Sequence, residues 1–117
     1  MRRIGILLTV IGVTMACEEQ GSCIRLGEGQ QFGSNHLEKI RRVSDYVISL
    51  GLPIMPNEVA AIVGAAYATS QIEGGQDGVP VDVCFRSGQQ GSAEFRVLST
   101  RGTPLTGWRN STMFGAQ

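Results

Sequence analysis

Val79-Pro80-Val81-Asp82-Val83-Cys84-Phe85-Arg86 and, after a polar break, Ala93-Glu94-Phe95-Arg96-Val97 decide the fold, because apolar and polar side chains alternate through both. Strict alternation is the period of a half-buried β-strand. Directly opposed residues of an antiparallel pair share a face, so a hairpin register must match odd positions with odd ones. Pairing Phe85 with Phe95 satisfies this and also opposes Val83 to Val97 and Arg86 to Glu94, an aromatic pair and a charge pair that support a sheet. Ser87-Gly88-Gln89-Gln90-Gly91-Ser92 forms the connection.

Downstream, Arg101-Gly102 reads as a two-residue turn, which places Leu98 beside Leu105 and Phe95 beside Trp108 in a third strand. In this register Trp108 falls on the Phe95 face and belongs to the core. Cys84 points to the other face, with Asp82, Arg86, Leu98 and Leu105. That mixed face calls for a cover, and the segment around Cys23 is expected to cross it as a fourth strand.

Upstream the period becomes helical. Asn35 stands as an N-cap with Glu38 three residues on, and Leu37, Ile40, Val43, Val47 and Leu50 follow at helical spacing before Gly51. Leu52-Pro53-Ile54-Met55-Pro56 interrupts the pattern. Asn57 then offers a second N-cap for a helix over 58–69 that is apolar on nearly every side and so expected to be more deeply buried. Its Ala60, Gly64 and Ala68 form a small-residue row that allows close packing inside the core. The fold class is therefore α+β: two helices followed by a three-stranded antiparallel meander, with Ser22–Leu26 available as a fourth N-terminal strand, in two layers.

The N-terminus indicates where the chain works. Arg2 and Arg3 precede an apolar run from Ile4 to Ala16, and small Thr14 and Ala16 stand before Cys17 at the positions a signal peptidase reads. The run is too short for a membrane-spanning helix, which needs about 20 apolar residues. The expected organisation is a signal peptide over 1–16, a tether with one short strand over 17–33, a single α+β domain over 34–110 and a flexible tail over 111–117. The 101 residues from Cys17 onward suffice for one domain.

Val13-Thr14-Met15-Ala16-Cys17 resembles a bacterial lipobox, the family of export signals whose cysteine thiol is acylated and becomes the mature N-terminus. Ala16 fits the position before the cysteine; Thr14 and Met15 stand where such motifs carry a leucine and a small residue. The resemblance implies lipidation at Cys17, and Glu18 after it implies sorting to the outer membrane. The same Thr14-Met15-Ala16 also serves an ordinary small-x-small cleavage that releases a soluble product. Small envelope lipoproteins acting as assembly or scaffold components are similar in their order of two helices and three strands, a likeness of fold alone.

The chain has three cysteines, and an odd count in an oxidising compartment leaves one thiol to explain. If Cys17 carries lipid, Cys23 and Cys84 are free to form one disulfide. Closing a loop of about 60 residues contributes about 4 kcal/mol by the chain-entropy model.

Composition excludes several classes. Without Arg2 and Arg3, eight basic side chains face ten acidic ones, so no basic footprint for nucleic acid is present. One histidine and no Cys-x-x-Cys spacing cannot supply a conventional zinc site, and no metal or other cofactor is expected. Gly27-Glu28-Gly29-Gln30-Gln31-Phe32-Gly33 lies where a phosphate-binding loop would lie, but its spacing is wrong for a dinucleotide fingerprint and it reads as a connector. His36 falls in the first turn of a helix, where a general base would need a partner; pairing with Cys23 or Cys84 is the remote hydrolase reading. No catalytic residue is expected. Gln89 and Gln90 at the hairpin tip, with Trp108 and Arg109, are the candidates for contact with a partner. The expected function is a non-enzymatic envelope lipoprotein, held at the membrane by its lipid, that binds another envelope protein; the alternative is a soluble secreted inhibitor or effector stabilised by the disulfide.

Overall fold

The computed structural model describes residues 21–88 and 91–111. The segment 1–16 expected to be a signal peptide, Cys17, Gln89, Gln90 and residues 112–117 lie outside the described residues. The elements run β1 (Ser22–Leu26), α1 (His36–Ser49), α2 (Pro56–Gly74), β2 (Val81–Ser87), β3 (Ala93–Ser99) and β4 (Arg109–Asn110). The strands form one antiparallel sheet in the order β1-β2-β3-β4. With two helices on one face it is a two-layer α+β domain.

The central hairpin has the register that alternation demands: Phe85 opposes Phe95, Val83 opposes Val97 and Arg86 opposes Glu94. Val81, Val83, Phe85, Phe95 and Val97 are fully buried against Val43, Val47, Val59, Ile62, Val63 and Ala66 of the helices. Leu26 and Phe32, upstream of the helices, belong to the same core.

α1 starts as expected, with the Asn35 side chain accepting the Glu38 N–H at 3.2 Å. Its buried stripe differs at the first turn. Leu37 is 82% exposed, whereas Lys39 is only 6% exposed. Phe32 occupies the core beneath this turn, and Lys39 lays its stem over that ring, with Nζ 5.0 Å from the ring centre. The apolar demand at the helix start is met from the preceding loop, so Leu37 has nothing left to cover.

α2 begins one residue before Asn57. Pro56, which has no N–H to lose, takes the first position, and the Glu58 carboxylate accepts the Met55 N–H at 2.8 Å. The helix continues past Thr69 to Gly74, since Ser70 satisfies its hydroxyl by donating to the Tyr67 carbonyl at 2.6 Å. Ala60, Gly64 and Ala68 do not pack inside the core as expected. All three are exposed, and a side chain on Gly64 would meet nothing within 4 Å. The bulkier Val59, Ile62 and Val63 bury more apolar area, so they face the sheet and turn the small residues outward.

β1 does not cross the outer face. It extends the sheet sideways, with Cys23 directly opposite Cys84 and the two joined by a disulfide, Cα atoms 3.9 Å apart. Its free edge is covered by α1: Tyr46 donates its hydroxyl to the Cys23 carbonyl at 3.1 Å and Arg42 donates to the Arg25 carbonyl at 3.2 Å. Capped carbonyls blunt an edge that could otherwise pair with another chain.

The return to β4 also differs from expectation. The turn after β3 has three residues, Thr100-Arg101-Gly102, closed by the Ser99 N–H on the Thr103 carbonyl at 2.8 Å. Gly102 supplies its left-handed residue at φ +88°. Leu98 bridges Pro104 rather than Leu105, and Phe95 pairs Arg109 rather than Trp108. Between these pairings β3 advances three residues and the returning strand five, and the slack appears where Leu105 and Thr106 both donate to the Val97 carbonyl. Trp108 therefore leaves the Phe95 face, contrary to its expected place in the core.

Candidate functional site on the outer face of the sheet

The face away from the helices collects the even-numbered residues of β2 and β3 and the odd ones of β1. At its centre lies the Cys23–Cys84 disulfide. On one side Arg25 grips Asp82 with two hydrogen bonds, Nε to Oδ1 at 2.8 Å and Nη2 to Oδ2 at 3.1 Å. The hydrogen bond and then the charge of Asp82 raise the Arg25 pKa above its ordinary value. The raised value makes this contribution complete below the ordinary arginine range and lost only at more alkaline pH still, so it is constant under physiological conditions.

On the other side Arg86 donates from Nε to Glu94 at 2.8 Å. Its guanidinium also lies 4.1 Å from the centre of the Trp108 ring, and the Arg96 guanidinium lies 4.7 Å from the same centre. One indole thus serves two cations, each attracted by its π face. Arg96 differs from its neighbours. Its Nε is buried and has no hydrogen-bond partner, and no carboxylate among the described residues pairs with it, since Asp82 and Glu94 are engaged by Arg25 and Arg86. Among the described residues, three guanidinium groups and two carboxylates on this face leave one positive charge in excess. Arg109, next to Trp108 in the chain, is exposed on β4 but opposes Phe95 and so belongs to the other face.

Gly21 sits against this cluster. Its φ of +76° favours glycine, and a Cβ placed on it would lie 3.1 Å from Cη2 of Trp108 and collide with the Phe85 carbonyl. The chain therefore enters the sheet directly beside the indole.

Of the residues expected to contact a partner, Trp108 and Arg109 are brought to this end of the sheet, Trp108 half-buried and Arg109 exposed. Arg86 and Arg96 were not singled out from sequence. Their even positions on alternating strands were the available signal, but joining them to Trp108 requires the three-residue turn and the slack after it.

Other polar features singled out above are engaged within the fold. An open groove of about 950 Å³ at the opposite end of the sheet is lined by Arg25, Glu73, Ser99, Arg101 and Thr103, among others. The Ser99 hydroxyl there accepts the N–H groups of Arg101 and Thr103 and is part of the turn. The 27–33 loop folds on itself through reciprocal bonds between Glu28 and Gln31, and Phe32 donates to the Gly78 carbonyl, so these amides do not form an anion cradle. His36 packs between Tyr67 and Phe32, with ring centres 4.6 and 5.9 Å away. The disulfide removes both thiols that a histidine–cysteine pair would require. Among the described residues no group of three or more His, Cys, Asp or Glu side chains is placed to hold a metal, and no helix is long and apolar enough to cross a membrane.

No protein-family model matches the chain, and neither a curated protein nor a solved structure matches it.

Proposed function

We propose that the protein is a small exported envelope lipoprotein, anchored through acylated Cys17, whose α+β domain binds another envelope protein without catalysing a reaction. The observation that carries this reading is the Cys23–Cys84 disulfide. Such bonds persist where thiols are kept oxidised, which supports export. It also uses two of three cysteines and leaves Cys17, after a basic and then apolar start, as the odd one. The non-catalytic part is supported by how the polar side chains are used: His36 is packed against two rings and Ser99 holds a turn. A protein partner is supported by the helical side, where Leu37, Ile48 and Ile72 are exposed and α2 carries no charge between Glu58 and Glu73.

The test is the intact mass of the protein from its native membrane, before and after reduction. Acyl mass on a chain beginning at Cys17, with two hydrogens gained on reduction, is the expected result. A chain that begins at Cys17 or later without acyl mass supports the soluble secreted inhibitor or effector instead. A chain beginning at Met1 overturns both.

A further inference from the structure

We propose that Trp108, with Arg86 and Arg96, is the surface on which the domain rests against phospholipid headgroups of the bilayer that holds its anchor; this rests on the reading of Cys17 as acylated. The first argument is chain length. Only Glu18, Glu19 and Gln20 separate Cys17 from Gly21, so the four Cα–Cα steps span at most about 14 Å even when fully extended. Gly21 lies against the Trp108 indole. A lipid on Cys17 therefore holds this end of the sheet within reach of the headgroup layer, whose thickness is about 5–8 Å on each side of the hydrocarbon.

The second argument is chemistry. Tryptophan is the side chain that partitions to the membrane interface, and guanidinium groups hydrogen-bond phosphate with two parallel donors. Arg86 is committed to Glu94, but Arg96 has no acidic partner among the described residues and holds a buried Nε without an acceptor there. The mature chain is net acidic, and Glu18 and Glu19 lie in the tether, so long-range attraction to an anionic membrane is weak. What the anchor supplies is proximity, and the patch then makes short-range contacts to phosphate. A protein partner on this face would have to fit into the strip that a three-residue tether leaves between domain and bilayer. The helical side, across the sheet, is left open to such a partner.

The chain has one tryptophan, so its fluorescence reports Trp108 alone. The experiment uses the acylated full-length mature protein in vesicles of phosphatidylethanolamine and phosphatidylglycerol, with and without lipids brominated near the headgroup end of the acyl chains. The unacylated Cys17→Ser protein in the same suspension is the control. The expected result is a blue shift and a loss of emission to the brominated lipid in the acylated protein, both reduced by Arg96→Gln when that variant is compared with itself in buffer. Vesicle flotation and intact mass read the anchor separately. Protein that floats but emits as the Cys17→Ser control does overturns the headgroup contact while the anchor stands, and leaves the face to a protein partner. Quenching that Arg96→Gln does not reduce overturns the guanidinium contact. Protein without acyl mass that stays unbound overturns both readings.

Discussion

The two faces of the sheet are built from the same strands and are held by different forces. Toward the helices, Val81, Val83, Phe85, Phe95 and Val97 are fully buried and uncharged. On the other side, Asp82, Cys84, Arg86, Glu94 and Arg96 alternate with them residue by residue. The first face is stabilised by removing apolar area from water. The second is organised by a covalent bond, two ion pairs and a shared aromatic ring, and contributes far less per residue. The apolar and the charged arrangement are thereby separated by a one-residue step along each strand.

The largest expected effect breaks that contrast most directly. Phe95→Ala should destabilise the domain by about 3–5 kcal/mol, because it opens a cavity between both layers. Its neighbour Arg96→Ala should cost less than about 1 kcal/mol. Urea unfolding of the two variants compares the faces at adjacent positions, and equal losses would contradict the separation.

Removing the disulfide with Cys23→Ala and Cys84→Ala together should cost about 2–4 kcal/mol. That loss should appear as a lower thermal midpoint with the sheet retained, because the Tyr46 and Arg42 caps on β1 remain. A double variant whose midpoint matched the parent would show that the bond matters little to the outer face. Asn35→Ala removes the acceptor for the Glu38 N–H and should cost about 1 kcal/mol, measured by chemical denaturation. Smallest of all, a double-mutant cycle on Arg86 and Glu94 should yield a coupling of about 0.5 kcal/mol that shrinks in high salt, since both side chains are partly in water.

The central hairpin was legible because period-two alternation leaves few registers that keep all apolar side chains on one face, and Phe85 opposite Phe95 is among them. The Asn35 cap was equally local, needing only a side chain and an amide three residues apart. Leu37 was misread because helical spacing says which residues share a face and not where along that face the cover ends; Phe32 had already filled the space. The outer position of Ala60, Gly64 and Ala68 was hidden for a related reason. An all-round apolar helix carries almost no directional signal, and only competition for the sheet turned Val59, Ile62 and Val63 inward.

Trp108 shows the limit most clearly, because a turn of three residues in place of two, followed by extra slack at Leu105 and Thr106, carries it from the Phe95 face to the arginines. Nothing in its immediate neighbours encodes that step.

By itself, then, the sequence determined the fold class, the β2–β3 register and the pairing that cysteine arithmetic offered to Cys23 and Cys84, all of which depend on short-range periodicity or on counting. Only the tertiary structure decided that Cys23 lies beside Cys84 in an edge strand, that Arg96 has no acid beside it among the described residues, and that Trp108 and Gly21 meet. These depend on loop lengths and on which of several apolar surfaces reaches the core first, quantities that are settled when the layers pack.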